Sequence, residues 1–309
     1  MKIAMVGVGA VGASAAFALM ISGLAAELVL IDVTERQAEG EAMALMHCAP
    51  FVRPVPIRSG AYADCVGARS VVITAGSAQR PGETRLDLVK LNADIFGQMI
   101  PQIVAAAPDA ILLIVSNPVD ILTYVSLKLS GLPASRVIGS GTVLDTARLR
   151  ALVGQRLSVA PRSVHGYVIG EHGDSEVVVW SRATVAGLPV EDFCHQRGIE
   201  YSPALRADIS TQVRRAAYEI IARKGATYYA VSLAMTAIAR AVLRDENAIM
   251  TVSTLMEGVV GEGEADRDGE DRADQNGHSG PVEICLSLPA VVDRSGVSRV
   301  LRIPLAEDE

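Results

Sequence analysis

The stretch Gly170–Glu176 (GEHGDSE) carries a histidine whose neighbours suit proton exchange. Glycines and acids flank His172, whereas a histidine that only packs in a core is embedded in an apolar face. Imidazole changes charge near neutral pH, so His172 is a candidate general acid and base. A histidine in this role needs a carboxylate that orients it.

A carboxylate and an arginine stand three residues apart in GSGTVLDTARLR, which has a helical pattern. Asp145 and Arg148 would therefore share one helix face. Asp145 could orient a catalytic base, and Arg148 could hold the carboxylate of an acidic substrate through two parallel hydrogen bonds. The same pair is also typical of an ordinary surface salt bridge, and the spacing leaves both interpretations open.

Polar residues crowd a segment that should follow a buried strand. The apolar run Ser70–Gly76 leads into Ala78–Arg85 (AQRPGETR), which contains a Pro-Gly pair typical of a turn. Loops positioned by a rigid scaffold often carry binding and catalytic residues. Gln79 and Arg85 are therefore candidates for contact with a substrate.

Three glycines near the N-terminus have the spacing GxGxxG. Gly7, Gly9 and Gly12 follow a strand candidate and open a helical run, and Asp32 lies twenty residues beyond Gly12. This context predicts a dinucleotide site, in which the glycines let the backbone approach a pyrophosphate at the helix N-terminus. Asp32 would bind the adenosine ribose hydroxyls and repel the extra phosphate of NADP, so NAD is the expected cofactor. The alternative is a glycine-rich turn followed by an Asp at a strand end.

Short β-rich runs alternate with helix-sized segments in the first half of the chain, which predicts βαβ units and a parallel sheet covered on both faces. The strand candidates there are Lys2–Val6, Glu27–Ile31, Ser70–Ala75, Ile111–Ser116 and Arg136–Ile138. From about Gly141 the pattern is mixed. Its helix candidates are Leu144–Val153, Pro203–Arg223 and Thr227–Leu243, and its strand candidates are Val177–Ser181, Ala248–Leu255, Glu283–Ser287 and Val300–Ile303.

These elements predict an α/β protein of two domains. Residues 1–141 would form an NAD-binding domain with a Rossmann-type doubly wound parallel sheet, and residues 142–309 an α+β catalytic domain. Within the second domain, Gly261–Gly280 is nearly free of apolar residues and rich in Gly and Asp. It predicts an acidic, flexible surface loop; a calcium loop is the alternative, but the DxDxDG register with a closing Glu is missing.

The overall composition narrows the partners and the compartment. The 309 residues are 50% hydrophobic and carry a net charge of -7, which argues against nucleic acid or an anionic membrane as a partner. Four scattered cysteines form no CxxC pair, so we predict neither a disulfide framework nor a metal site, and a cytoplasmic location. The first 26 residues could pass for a signal peptide, but their glycine spacing argues against that interpretation.

Six motifs together give a specific family resemblance. They are GVGAVG, TAGSAQRPGETR, SNPVD, GSGTVLDTAR, GEHGDSE and KGATYY. With them the chain resembles the L-lactate dehydrogenases of the lactate/malate dehydrogenase family, from Met1 to about Glu257 and again over Val282–Pro304. The resemblance implies NAD-dependent, reversible interconversion of pyruvate and L-lactate, as in the last step of fermentative glycolysis.

The resemblance also implies roles for individual residues. His172 matches the family's proton donor and acceptor, Asp145 its orienting carboxylate, and Arg148 the arginine that grips the substrate carboxylate. Arg85 matches the arginine that polarises the reacting carbonyl, on a loop that closes over the substrate. Further substrate contacts match Gln79, Asn117 and Thr227. Cofactor contacts match Gly7, Gly9, Val11, Gly12, Asp32, Tyr62, Gly76, Ser77, Val115, Asn117 and Ser140.

Gln79 is the residue expected to determine substrate specificity. Malate dehydrogenases of the family carry an arginine there, which pairs with the second carboxylate of oxaloacetate. A neutral Gln would leave that carboxylate buried and uncompensated, which favours pyruvate; malate dehydrogenase is the alternative activity.

A second resemblance concerns regulation and assembly. Arg150 and His165 match positions where many bacterial members bind fructose 1,6-bisphosphate across a subunit interface, which implies an allosteric homotetramer. Either residue could equally be a structural hydrogen bonder.

Two departures from the family pattern bear on turnover. Family members usually continue beyond the position of Glu309 into a long amphipathic helix, and Gly261–Gly280 is longer than the usual loop. A binding protein that retains affinity for NAD but turns over poorly is therefore a further alternative.

Overall fold

The N-terminal part of the chain forms a parallel sheet with helices on both faces, as its alternating pattern predicts. The computed structural model describes residues 1–77, 84–256 and 283–309, and of Arg85 the backbone alone. The strands are β1 (Lys2–Val6), β2 (Glu27–Ile31), β3 (Ile57–Ser59), β4 (Ala68–Ile73), β5 (Ile111–Ile114) and β6 (Val137–Gly139). The helices are α1 (Ala10–Ser22), α2 (Glu35–Met46), α3 (Arg85–Ala106) and α4 (Val119–Ser130).

The order of these strands creates a crevice for a ligand. They run β3-β2-β1-β4-β5-β6 across the sheet, which is the order of dinucleotide-binding domains. β1 pairs in parallel with both β2 and β4, so the winding of the chain reverses beside it. Ligands bind beyond the carboxyl ends of the strands at such a reversal.

The C-terminal part of the chain begins with α5 and adds both helices and strands. Its helices are α5 (Val143–Leu157), α6 (Val190–Gln196), α7 (Pro203–Lys224) and α8 (Tyr229–Arg244). Its strands are β7 (Val164–His165), β8 (Val168–Ile169), β9 (Val177–Val178), β10 (Thr184–Val185), β11 (Leu188–Pro189), β12 (Ala248–Met256), β13 (Ile284–Asp293) and β14 (Gly296–Val300).

Three of these strands extend the first sheet. β12 pairs antiparallel with β6, β13 with β12 and β14 with β13, which gives a nine-stranded sheet in the described residues. The sheet is therefore mixed, and its doubly wound parallel portion is formed by the N-terminal part of the chain. The short strands form two small sheets instead, β11-β10-β7 and β8-β9. β12 lies beside β6 and packs against the helix that begins at Val143.

Three of the strand predictions after Gly141 are wrong at their ends. The strand predicted at Glu283–Ser287 runs from Ile284 to Asp293. Val177–Ser181 is a strand only at Val177–Val178, because a 3-10 turn at Trp180–Arg182 follows. The last strand is Gly296–Val300 rather than Val300–Ile303. It follows β13 through a tight hairpin at Asp293 and Gly296, so the strand starts earlier than its apolar residues suggest.

Candidate active site

A buried carboxylate joins the histidine and the arginine that the sequence singles out. Asp145 lies in the first turn of α5 and is 1% exposed. One of its oxygens, Oδ2, lies 2.6 Å from Nδ1 of His172, and the other, Oδ1, accepts a 2.6 Å hydrogen bond from Arg148. The interpretation of Asp145 and Arg148 as a surface salt bridge is therefore wrong. The carboxylate fixes both cationic side chains in one cluster.

The loop that carries His172 is held by hydrogen bonds from its backbone to β13 and to a side chain of α4. Gly170 pairs with Ser287 of β13 through reciprocal hydrogen bonds of 2.8 and 2.9 Å between their backbones. Gly170 has a φ of 91°, a left-handed conformation that favours glycine. The N–H of His172 donates to Oδ2 of Asp120, in α4, at 2.8 Å. The imidazole is thus positioned by contacts from both parts of the chain.

Electrostatics favour a protonated His172. Burial of the ring opposes its positive charge, but the hydrogen bond that Nδ1–H donates to Asp145 and the negative charge of that carboxylate outweigh burial, so the pKa of His172 is raised. Its side chain keeps 23% of its surface exposed, which leaves room for a small reactant. A raised pKa suits a group that donates a proton to a developing alkoxide near neutral pH.

Two buried acids beside this cluster were missed by sequence reasoning. Asp120 ends the SNPVD motif and Glu176 ends GEHGDSE, and they are 7% and 5% exposed. Burial raises the pKa of both carboxyls, that of Glu176 to about 8 with a further contribution from the charge of Asp145. Both residues lie inside motifs quoted for other reasons, so their acidic type was visible, but their burial was not.

A glycine cradle lies at the carboxyl end of β1. A Cβ atom at Gly7 would collide with the backbone of Ala75, and one at Gly12 would overlap the carbonyl oxygen of Gly7. A Cβ at Gly9 would meet nothing within 4 Å. Gly9 also caps α1 without a side chain that could accept from the first helical N–H groups. The loop therefore offers open space and free N–H donors where a pyrophosphate would lie.

Asp32 lies at the end of β2 and holds the same loop. Its Oδ2 accepts the N–H of Val8 at 2.8 Å, and its Oδ1 accepts that of Thr34 at 2.9 Å. Burial and the negative charge of Asp32 raise the pKa of Tyr62, so the tyrosine stays neutral beside this carboxylate. Val11, in the first turn of α1, is half-buried on the same side. These residues fit the adenosine half of NAD.

The loops after β4, β5 and β6 form the other side of the crevice and hold the remaining predicted cofactor positions. These positions are Gly76, Ser77, Val115, Asn117 and Ser140. Two of the loops are tied together by Asn92 of α3, which is fully buried. Asn92 accepts the N–H of Ser77 at 2.7 Å and donates to the carbonyl oxygen of Asn117 at 3.0 Å. Sequence reasoning missed Asn92, a single polar residue in an apolar helical pattern.

Some predicted substrate residues are described only in part. Gln79 and the acidic segment 261–280 lie outside the described residues. Arg85 is the first residue of α3, and its backbone alone is described; Thr84 caps this helix by accepting the N–H of Asp87. Thr227 lies half-buried before α8.

The two residues of the predicted effector site line one cavity. Arg150 of α5 and His165 of β7 border a space of about 510 Å³ between α5 and α8, which Arg240 also lines. Arg150 donates a 3.4 Å hydrogen bond to the carbonyl oxygen of Arg162, and His165 is exposed. In the part of the chain that the structure describes, no helix is both long and apolar enough to cross a membrane.

Curated relatives resemble the chain over its whole length. It is 51% identical over 309 residues to an L-lactate dehydrogenase of Synechococcus sp., covering 100% of this chain and 94% of the relative. It is 47% identical to L-lactate dehydrogenase 1 of Clostridium acetobutylicum, covering 100% of this chain and 92% of the relative.

Solved structures show the same fold. A minor L-lactate dehydrogenase from Enterococcus mundtii, in a ligands-bound form, superposes with a TM-score of 0.88 at 42% identity. A lactate dehydrogenase from a Medee basin deep-sea metagenome library superposes with a TM-score of 0.89 at 44% identity. Each comparison covers 99% of this chain and 92% of the other. Residues 1–139 match the lactate/malate dehydrogenase NAD binding domain, and residues 142–309 match the alpha/beta C-terminal domain of the same group. The chain therefore belongs to the lactate/malate dehydrogenase family.

Proposed function

We propose that the chain is an L-lactate dehydrogenase, which interconverts pyruvate and L-lactate with NAD. The buried Asp145 carboxylate, bonded on one side to His172 and on the other to Arg148, carries the proposal. This carboxylate holds His172 and Arg148 together, which supports their roles as the proton donor and the carboxylate binder that reduction of a 2-keto acid requires. The relatives named L-lactate dehydrogenase, 47 to 51% identical, support the same activity.

The proton is handled by His172. When bound at the glycine cradle, NADH supplies the hydride that reduces the C2 carbonyl of pyruvate. His172 donates a proton to the carbonyl oxygen as negative charge develops there, and takes it back from the hydroxyl of lactate in the reverse direction. Asp145 keeps Nδ1 of the ring protonated, so the ring's other nitrogen faces the reactant.

The substrate is oriented by arginines. Arg148 binds the substrate carboxylate through its planar guanidinium and is only 12% exposed, so little water competes with that contact. Arg85, at the start of α3, polarises the reacting carbonyl oxygen. Asn117 and Thr227 supply further polar contacts. The family motifs support these roles, and the hydrogen bond between Arg148 and Asp145 supports the one given to Arg148.

The choice between pyruvate and oxaloacetate rests on Gln79. Family membership covers both lactate and malate dehydrogenases, so it does not discriminate between them. An uncharged Gln accommodates the methyl group of pyruvate, whereas oxaloacetate would bury a second carboxylate without a cation beside it.

We also infer an effector site and a homotetramer. Arg150 and His165 line one cavity, and a guanidinium and an imidazole there can donate hydrogen bonds to the phosphates of fructose 1,6-bisphosphate. The effector would act by binding one state of the assembly more tightly than the other. The test of this inference is given with the other predictions below.

Product analysis tests the activity directly. The purified chain, incubated with NADH and pyruvate, should form lactate of the L configuration in equal amount to the NADH consumed, as measured by chiral chromatography. The His172→Asn variant is the matched control and should form none. D-lactate, or consumption of NADH without lactate, would contradict the proposal.

A further inference from the structure

Glu176 is a buried carboxyl to which the proposed mechanism gives no task. It is 5% exposed, and its Oε1 atom makes no hydrogen bond within the described residues. The backbone N–H of Glu176 donates a hydrogen bond of 3.3 Å to the carbonyl oxygen of Gly173, which keeps the side chain at the end of the His172 loop. A buried carboxylate with an unpaired oxygen is costly, whereas the neutral acid is much less so.

Charged groups from three elements face Glu176. Asp145 and Arg148 approach from α5, His172 from the same loop, and Arg214 from α7. Burial and the charge of Asp145 disfavour the carboxylate, while the three cationic groups favour it; burial prevails, so the pKa of Glu176 is raised to about 8. Polar atoms of Asp145, His172 and Glu176 all lie within 4.8 Å of one another. The titrations of Glu176 and His172 are therefore linked.

The same three side chains are close enough together to hold a metal ion. Arg148 already occupies one oxygen of Asp145, and His172 occupies the other. A divalent cation would weaken one of these bonds by sharing its oxygen, and it would lie beside two arginines that repel it. A proton on Glu176 needs neither change, so a proton is the better occupant.

We propose that Glu176 must carry a proton before an anionic 2-keto acid can bind, an inference that rests on the function proposed above. The substrate carboxylate brings a negative charge to Arg148, beside the negative Asp145. An ionised Glu176 would add a further negative charge in a site where charges interact strongly. Reduction therefore requires two protons in the free site, one on His172 and one on Glu176. Glu176 acts through the charge of the site and is a positioning residue.

The pH dependence of kcat/KM for pyruvate tests this requirement. In the parent, the logarithm of kcat/KM should fall at alkaline pH with a limiting slope of about two, because two protons are lost. Glu176→Gln should fall with a slope of about one, and Glu176→Asp, which keeps an acid, should retain the steeper fall. Since the pKa of Glu176 is about 8, the Gln variant should gain about tenfold relative to the parent by about pH 9, mostly in KM.

Glu171→Gln is the matched control, because it removes a carboxyl from the same loop at an exposed position where Ser175 is its partner. This control should keep the slope of the parent. An active parent whose alkaline slope equals that of Glu176→Gln would overturn the role of Glu176 alone. A parent that shows no pyruvate-dependent oxidation of NADH at any pH would overturn the proposed function.

An infrared titration of the parent covers the case in which the variants fail to fold. The carbonyl stretch of a protonated buried carboxyl should be present near neutral pH and should disappear around the pKa of about 8. Absence of that band near neutral pH would overturn the proposal without any variant.

Discussion

Replacement of Asp145 by Asn should reveal how much the buried carboxylate contributes to proton transfer. Asp145 is 1% exposed and lies 2.6 Å from Nδ1 of His172, so its charge is little screened by water. The hydrogen bond and the charge of Asp145 raise the pKa of His172 against the effect of burial. An amide removes the charge and also offers an N–H to Nδ1, which favours the neutral ring.

The size of the effect follows from the lost interaction. Removing an opposite charge at hydrogen-bond distance lowers a pKa by about 1 to 3 units, and each unit corresponds to about 1.4 kcal/mol. At pH values above the parent's pKa, the protonated fraction of His172 then falls by about ten- to a thousandfold. We expect kcat/KM for pyruvate to fall by a similar factor at alkaline pH, by less near neutral pH, and to recover partly at acid pH.

The assay is the pH profile of pyruvate-dependent NADH oxidation, with NADH binding measured separately by fluorescence. The alkaline limb of kcat/KM should move to lower pH in Asp145→Asn, because His172 loses its proton earlier. NADH affinity should stay near that of the parent, since Asp145 lies on α5 and the glycine cradle on the loop after β1. A melting curve must accompany the kinetics, because the variant leaves Arg148 without its anionic partner.

Glu219→Gln is the matched control for loss of a carboxylate. Glu219 pairs with Arg223 on the exposed side of α7, so this change should leave the pH profile unmoved. If the profile of Asp145→Asn also stays unmoved while the variant is folded, the pairing of Asp145 with His172 does not tune the acid.

Four further predictions concern the proton donor, the cofactor, the substrate and the effector. His172→Asn should abolish turnover and keep NADH binding, as single-turnover and fluorescence measurements would show; near-parental turnover would exclude His172 as the acid. The parent should strongly prefer NADH to NADPH because Asp32 repels a 2′-phosphate, and Asp32→Ser should narrow the ratio of the two catalytic efficiencies; equal use of both cofactors by the parent would refute this role. Gln79→Arg should shift the efficiency ratio toward oxaloacetate by about a thousandfold, and a shift under about tenfold, roughly 1.4 kcal/mol, would mean that Gln79 does not read the substrate. Fructose 1,6-bisphosphate should lower the apparent KM for pyruvate, and joint replacement of Arg150 and His165 by Ala should erase that effect; a parent that gives no response at several pH values would rule the effector out.

The parallel part of the fold is readable from the sequence because its strands are buried on both faces. Lys2–Val6 and Glu27–Ile31 each have four consecutive apolar residues after a charged one, and both are strands over those same residues. Ile57–Ser59 escaped prediction because three residues between prolines and a glycine give no recognisable period. The antiparallel extension by β12 and β13 was not predicted, because which strands pair is decided by contacts between residues far apart in the chain.

Less of the site than of the fold could be predicted from the sequence. The type and spacing of Asp145 and Arg148 were visible, but a salt bridge on a helix surface has the same spacing, and only burial distinguishes the two. In the sequence, Glu176 is one of several acids in the same loop; its burial, which raises its pKa, is visible only in the structure. Asn92 is a similar case, since its bonds to two loops depend on the helix packing beneath them.

The most direct test of the proposed function is a side-by-side comparison of pyruvate and oxaloacetate as substrates for NADH oxidation by the purified chain. We predict that pyruvate is the better substrate. If oxaloacetate is also reduced, kcat/KM should be higher for pyruvate by about tenfold or more, because Gln79 offers no charge to a second carboxylate. A higher kcat/KM for oxaloacetate would identify a malate dehydrogenase and contradict the account. Tight binding of NADH without oxidation by either acid would contradict it as well.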